Sequence, residues 1–176
     1  MPHVIEIASS ARAKCRGCDQ NIAKGEVRFG ERHPNTFGDG EMTLWFHVPC
    51  AAYTRPEAFL EALPSSRIEN VEAFEAAARF GIAHHRVPRV HGAERAPTGR
   101  ARCRSCKELI ERGAWRLPLV FFEEFRLAPS GFIHATCANA YLETTDLLDR
   151  IKHFSPALSA ADVQELQLAL GNGVAP

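Results

Sequence analysis

Six cysteines and two of the histidines are the residues of this chain best suited to metal chemistry, because they form two matched sets. Each set joins a Cys-x2-Cys pair to a later His-x2-Cys pair. The sets are Cys15, Cys18, His47 and Cys50, and Cys103, Cys106, His134 and Cys137. A Cys-x2-Cys on a tight turn and a His-x2-Cys entering a helix can surround one ion, and zinc accepts this Cys3His set readily.

A zinc ion with four protein ligands has no position left for water or substrate. The two zinc ions that we expect are therefore structural, and each should couple the folding of a small domain to metal binding. The alternatives are ordinary buried cysteines or a redox-active Cys-x2-Cys pair. The use of every cysteine, twice and at matched spacing, argues against both.

The same basic, cysteine-bearing segment occurs twice, as ARAKCRGCDQ and as GRARCRSCKE. Cys15 and Cys103 are 88 residues apart, whereas His47 and His134 are 87 apart, so one intervening loop is a residue shorter. This pattern indicates a duplicated unit of roughly 85 residues rather than a short solenoid repeat. The join falls near HHRVPRVHG, whose proline and glycine suit a short linker.

Short strands and helices must position these ligands. HVIEI, EVRFGER and AWRLPLVFF read as strands, and HPNTFGDGE and EEFRLAPSG read as turn-rich loops. Helices are predicted after each second ligand pair, in PEAFLEAL and NVEAFEAAARF and then in ANAYLETT and DLLDRIKHF. A last helix is predicted in SAADVQELQLALGNG, with Ser159 as N-cap and Gly171 as the stop.

The sequence therefore predicts an α+β fold of two small zinc-stapled domains in tandem. Each domain is expected to be a short antiparallel sheet with helices, and a C-terminal helix follows. The predicted domains are residues 1–85 and 86–154, and the predicted helical tail is 155–176.

The net charge is zero, with 21 basic and 21 acidic residues, so the chain as a whole exerts no electrostatic pull on nucleic acid or membrane. The charge is unevenly spread, since residues 86–154 carry +4 and residues 1–85 carry −2. The N-terminus does not resemble a signal peptide. No stretch approaches the ~18–20 apolar residues that cross a bilayer. We expect an intracellular protein, and the lack of a nuclear-import cluster favours a bacterial cytoplasm over a nucleus.

The spacing of the ligands resembles that of the poly(ADP-ribose) polymerase-type zinc finger. The resemblance rests on an arginine before each Cys-x2-Cys, an arginine ten residues after it, and the long gap before an aromatic residue and His-x2-Cys. It covers roughly residues 3–85 and 90–154, and it implies recognition of DNA strand breaks. The arginines that match the motif are Arg12, Arg28, Arg100 and Arg116, which the resemblance implies grip phosphate. A guanidinium fork suits phosphate oxygens, and such contacts give affinity without reading sequence.

The resemblance also implies an apolar loop that stacks on the bases exposed at a break. Stacking of this kind contributes ~1–3 kcal/mol per base. The candidates are Phe37 and Met42 in the first unit and Phe125 and Leu127 in the second. In the second unit Pro129 falls in register with Met42, and Glu123 and Glu124 are unusual beside a DNA-facing loop.

We therefore expect a DNA-binding protein that senses nicks, gaps or ends in DNA repair. We do not expect an enzyme, because no phosphate-cradling glycine loop and no acid–base pair of carboxylates is present. One alternative is a protein-interaction scaffold built on fingers that have lost DNA binding. Another is a metal-dependent nuclease, which the fully occupied coordination spheres of the two zinc ions argue against. The C-terminal helix is the expected place for a protein partner or for self-association.

Overall fold

The chain forms two compact units, Met1–Ala83 and His84–Pro176, in a computed structural model that describes residues 2–35, 38–66 and 68–171. Each unit contains a three-stranded antiparallel sheet and helices. The predicted α+β fold of two small tandem domains is therefore confirmed. No helix within the described ranges combines the length and the apolar composition that a membrane crossing would need.

The first unit is built on a sheet whose strands lie in chain order. Its strands are β1 (Val4–Ile7), β2 (Val27–Pro34) and β3 (Glu41–His47). Its helices are α1 (Val48–Thr54), α2 (Pro56–Ala62) and α3 (Val71–Ala83), with a 3₁₀ turn at Leu63–Ser65. Phe29 and Phe46 of the sheet are fully buried and pack with each other, and Phe29 also meets Phe59 of α2 edge to face. This aromatic cluster is the centre of a small core.

The second unit repeats this order of elements. Its strands are β4 (Glu94–Arg95), β5 (Trp115–Glu123) and β6 (Arg126–His134). Its helices are α4 (Ala138–Leu142), α5 (Leu148–Phe154) and α6 (Ala160–Gly171), with 3₁₀ turns at Val87–Arg89 and Ala135–Cys137. Arg150 of α5 is buried and donates to the carbonyl groups of Val90 and Pro88, which fixes this helix against the start of the unit.

The last helix, α6, is part of the second unit's core. Its Leu166 and Leu170 are buried, and the helix packs against the 3₁₀ turn Ala135–Cys137. Arg95 of β4 forms an ion pair with Glu165 on the same helix. In the first unit α3 packs on α1, which holds the matching ligand Cys50. Helix α6 is thus the counterpart of α3.

The segment EEFRLAPSG, expected to be a loop, is instead the end of a β-hairpin. Glu124 and Phe125 have φ values of 47° and 64°, and they connect β5 directly to β6. Positive φ at both central residues gives the twist that a two-residue hairpin needs. Asn-Gly or Asp-Gly normally mark such a turn, so Glu-Phe gave no signal of it.

Candidate functional site

Each Cys-x2-Cys pair lies on a tight turn that the backbone holds closed. In the first unit the Cys15 N–H donates to the Gln20 carbonyl over 2.8 Å, and the Asp19 N–H donates to the Cys15 carbonyl over 2.9 Å. Asp19 has a φ of 60°, in the left-handed region that lets the chain reverse after the second cysteine. The second unit has the same bonds at Cys103 and Lys107, and Lys107 has a φ of 69°.

Each His-x2-Cys pair lies at a junction between a strand and a helix. His47 ends β3 and Cys50 lies in the first turn of α1, so the two side chains emerge on one side, as residues three apart do in a helix. His134 ends β6, and Cys137 closes a 3₁₀ turn. The register of each sheet thus determines where the histidine lies.

These turns and junctions bring the predicted ligands together in both units. Within each set, the four ligand atoms all lie within 4.8 Å of one another. Cys18 Sγ is 3.3 Å from His47 Nδ1, and Cys106 Sγ is 3.4 Å from His134 Nδ1. Such separations match the edges of a tetrahedron around zinc, and three thiols with one imidazole are a donor set that zinc prefers. Two structural zinc ions therefore fit these residues.

Hydrogen bonds inside the clusters favour the charged forms of His47, Cys18 and Cys103, whereas the pKa of Cys50 and that of Cys137 are raised. Hydrogen bonds with Cys15 and Cys18 raise the pKa of His47 to about 10. Those with Cys15 and Cys50 hold the pKa of Cys18 far below its usual range. Burial alone would raise the pKa of Cys103, but hydrogen bonds from the backbone N–H groups of His134, Cys106 and Ser105 outweigh it and bring that pKa to about 7. A zinc ion takes the place of the protons that these groups share.

The sequence of the first unit matches a known family model over residues 6–79, described as the zinc-finger region of poly(ADP-ribose) polymerase and DNA ligase. That segment includes all four ligands of the first site. Residues 6–79 thus match the zinc finger of the poly(ADP-ribose) polymerase type. The second unit holds the same ligand set on the same order of elements. We therefore call the two units the first and the second finger.

Several poly(ADP-ribose) polymerases are similar to this chain over part of their length. Poly [ADP-ribose] polymerase 1 of Caenorhabditis elegans is 44% identical over 50 residues, which are 28% of this chain and 5% of that protein. Poly [ADP-ribose] polymerase of Sarcophaga peregrina is 27% identical over 142 residues, covering 70% of this chain and 14% of that protein. The chain thus spans about a seventh or less of these relatives.

The two fingers differ in how far their zinc ligands are shielded. In the first finger Cys15 and Cys50 are buried, whereas in the second only Cys103 is buried and Cys106 is exposed. The free ring nitrogen of the histidine also has different neighbours. His47 Nε2 lies 3.7 Å from a Glu26 carboxylate oxygen, whereas His134 Nε2 lies 3.2 Å from the Leu109 carbonyl oxygen. A carboxylate beside a zinc-bound histidine orients the ring and makes it a better ligand.

Arg12 and Arg100, two of the arginines predicted to grip phosphate, are exposed. Each begins the segment that carries a Cys-x2-Cys turn, which we call the zinc turn. They belong to two basic segments, residues 12–24 and 100–112, each with a net charge of +3. Nine cations contribute, and the described residues show no carboxylate partner for any of them: Arg12, Lys14, Arg16, Lys24, Arg100, Arg102, Arg104, Lys107 and Arg112. Both zinc turns are thus available to an external anion.

Arg28 and Arg116, the other two predicted phosphate contacts, have a different environment. Each is only 7% exposed and lies on the middle strand of its sheet. Arg28 donates to Glu6 and lies over the Trp45 ring, and Arg116 donates to Glu94 and lies over the Phe132 ring. Their predicted contact with phosphate would require the carboxylate to move.

Among the predicted stacking residues, Phe37 lies outside the described residues. Met42 is half-buried on β3, opposite His33 of β2. Phe125 occupies the hairpin turn and Leu127 pairs with Phe122 across the hairpin. The candidates of the second finger therefore belong to a paired hairpin whose tip carries Glu123 and Glu124, not to an open loop. Their role in stacking stays a prediction.

Glu6 and Glu94 are the contacts that the sequence reasoning overlooked. Each precedes its arginine by 22 residues, and they are 88 residues apart, as the arginines are. The repeat therefore contained the signal. A glutamate outside the ligand pairs and the basic segments carries no chemistry of its own that points to an arginine partner.

Proposed function

We propose that this protein binds DNA at strand breaks, through two zinc-dependent fingers and without catalysing a reaction, as a DNA-repair or damage-sensing factor. The observation that carries the proposal is the pair of basic zinc turns. Both have a net charge of +3, and their cations have no carboxylate partner in the described residues. Exposed guanidinium and ammonium groups on a rigid turn suit phosphate oxygens.

The zinc ions hold these turns in place. Both cysteines of each turn are ligands, so loss of metal would release the segment that carries Arg12 or Arg100. Binding to DNA is therefore expected to require zinc, because metal binding and folding are coupled in small zinc domains. The zinc itself has four protein ligands and would make no contact with DNA.

The two fingers would contribute differently to recognition of a break. Glu123 and Glu124 at the tip of the second hairpin would be repelled by phosphate, which argues against insertion of Phe125 between bases. In our proposal the first finger stacks on the exposed base, through Met42 and Phe37, and the second adds phosphate contacts. Two linked fingers on one site would bind more tightly than either alone.

A protein partner or self-association through α6 receives little support from packing. Leu166 and Leu170 are buried inside the second finger. Among the described residues of α6, Leu168 is the one large apolar side chain that is exposed, with 66% of its surface accessible. We also propose that the protein is located in a bacterial cytoplasm. This part of the proposal is supported by the composition of the chain alone.

Fluorescence anisotropy with zinc-loaded protein would test the function. One labelled duplex would be compared intact, nicked, gapped and blunt-ended at ~150 mM salt. We expect tighter binding to the nicked or gapped duplex. Arg12→Ala and Arg100→Ala should each weaken this binding. Each should also make the negative slope of log K against log salt shallower by about one. Arg79→Ala removes an exposed arginine of α3 and should change neither quantity.

Equal or absent binding to all four duplexes would refute recognition of breaks. Binding to none of them by a folded, zinc-loaded protein would favour the scaffold, whose partners would then be sought among proteins. Cleavage of any duplex would instead identify a nuclease.

A further inference from the structure

Each finger contains a carboxylate, an arginine and an aromatic ring in the same arrangement, which we call the arginine stack. The first stack is Glu6, Arg28 and Trp45, with the Arg28 guanidinium carbon 3.5 Å from the ring centroid. The second is Glu94, Arg116 and Phe132, where this distance is 3.6 Å. Glu6 pairs with Arg28 in the β1–β2 ladder, and Glu94 pairs with Arg116 in the β4–β5 ladder. The repeat has thus kept the whole stack.

The carboxylate in each stack uses one oxygen for both of its hydrogen bonds. Arg28 Nε and Nη2 donate to Glu6 Oε1 over 3.2 and 2.7 Å, and Arg116 Nε and Nη2 donate to Glu94 Oε1 over 2.9 and 2.6 Å. A guanidinium fork binds best when each N–H meets its own oxygen. Phosphate offers two oxygens to such a fork, so it would satisfy the arginine better than this carboxylate does.

A different ion pair in the first finger shows what a permanent structural pair looks like. Arg55 Nε donates to Glu31 Oε2 over 2.8 Å, and Nη2 donates to Oε1 over 2.6 Å, so both oxygens are used. The Glu31 side chain is only 2% exposed. The Glu6 and Glu94 side chains are 41% and 47% exposed. Because they lie at the surface, the stack carboxylates can rotate into water at little cost, which Glu31 cannot do.

The arginine of each stack would stay in place when its carboxylate leaves. The Arg28 and Arg116 side chains are 9% and 8% exposed, and the ring beneath holds each guanidinium plane. Rotation of the surface carboxylate would uncover the Nε and Nη2 edge. A guanidinium that is already oriented loses little conformational freedom when an anion binds it.

We propose that Glu6 and Glu94 are internal competitors for DNA phosphate, which hold Arg28 and Arg116 until a phosphate group displaces them. This inference rests on the proposed DNA binding and adds the residues that limit its affinity. Because a phosphate group must displace them, the carboxylates lower the affinity for every duplex that engages the stacks. They also explain why arginines at the position of the family motif are paired inside the protein.

The test uses the full-length, zinc-loaded protein with the substitutions Glu6→Gln and Glu94→Gln together. Titration of a labelled nicked duplex should show a dissociation constant about tenfold lower than that of the unmodified protein, as expected when a competing ion pair of modest strength is removed from each finger. Glu75→Gln is the matched control. Glu75 is 38% exposed and receives both hydrogen bonds of Arg79 on Oε1, but it lies on α3.

Plain charge repulsion would also make a glutamine variant bind more tightly, so the same pair of substitutions is repeated in an Arg28→Ala, Arg116→Ala background. If the carboxylates act through the arginines, the gain disappears there. An equal gain in that background would overturn the proposal. So would unchanged affinity combined with a lower midpoint of thermal unfolding, because the stacks would then be structural only.

A second measurement uses the unmodified protein, so it does not depend on whether the arginine variants fold. The Nε–H resonances of Arg28 and Arg116 in the unmodified protein should shift when the nicked duplex is added, and resonances that do not move would contradict the exchange. The proposed function has its own readout in the same titration. If neither the unmodified protein nor the glutamine variant binds any duplex, the proposed DNA binding is refuted, and this inference is refuted with it. Binding by the glutamine variant alone would support the competition between carboxylate and phosphate.

Discussion

Gly17 lies so close to Cys50 that a methyl group on its Cα would stand 2.7 Å from the Cys50 Cβ and 3.4 Å from its Sγ. Cys50 is buried and is held in the first turn of α1, so it cannot move away easily. The second finger has Ser105 at the matching position, and there Cys137 lies in a 3₁₀ turn rather than an α-helix. The two zinc sites therefore tolerate different residues between their first two cysteines.

Gly17→Ala should weaken zinc binding by the first finger about tenfold or more, because the added methyl group displaces a ligand from its tetrahedral position. Competition with a zinc-responsive dye would measure this affinity. Ser105→Ala is the matched control in the second finger, and it should leave zinc affinity unchanged. Equal zinc affinities in Gly17→Ala and the unmodified protein would show that α1 yields to the methyl group.

Chelation should remove the two zinc ions in separate phases, the second finger's first. Its Cys106 is exposed and its histidine meets a backbone carbonyl, whereas the first site has two buried cysteines and a nearby carboxylate at His47. The time course of zinc release into an excess of a chelating dye, read from the absorbance of its zinc complex, would resolve the phases. The fast phase should persist in Cys18→Ala and vanish in Cys106→Ala, and the reverse assignment would contradict the prediction.

Arg55→Ala should destabilise the first finger by about 3 kcal/mol, since it leaves the Glu31 carboxylate buried without its bidentate partner. Denaturant unfolding of the zinc-loaded protein would measure the change. Arg79→Ala breaks an exposed pair on α3 and should cost no more than about 0.5 kcal/mol. Similar losses in the two variants would show that burial of Glu31 adds nothing to the interaction.

Asp162 should stabilise α6 equally at all pH values well above the usual pKa of its carboxyl. Hydrogen bonds with Ser159 hold the pKa of this carboxyl below its usual range. A lowered folded-state pKa gives stability that is present above the unfolded-state pKa and is lost as the pH falls through the folded-state pKa. The difference in unfolding midpoint between Asp162→Asn and the unmodified protein should therefore be the same at about pH 5.5 and about pH 7.5. A difference that shrinks at the lower pH would contradict this.

The zinc ligands and most elements could be predicted because they follow from local rules. The spacing of Cys15, Cys18, His47 and Cys50 predicted the cluster, since a turn and a helix start present their side chains in only a few ways. Ser159 was predicted as an N-cap from its position before an apolar helix, and its Oγ accepts the Asp162 N–H over 3.1 Å.

The environment of Arg28 could not be predicted in this way. Its partners Glu6 and Trp45 lie on neighbouring strands, and only the register of the sheet brings the three side chains together. The β5–β6 hairpin escaped prediction for another reason. Its turn residues Glu124 and Phe125 adopt left-handed backbone angles that their own preferences disfavour, so strand pairing determined the turn.

The packing of α6 against the segment that holds Cys137 has a consequence for how this chain arose and how it can be recombined. What was duplicated is a complete folding unit of three strands and three helices, larger than the segment that spans the four metal ligands. Exchange of a finger with another protein should therefore be made at the junction of Ala83 and His84, and it should carry the last helix along. A graft that ends at the last cysteine would transfer the ligands without the apolar surface that covers them.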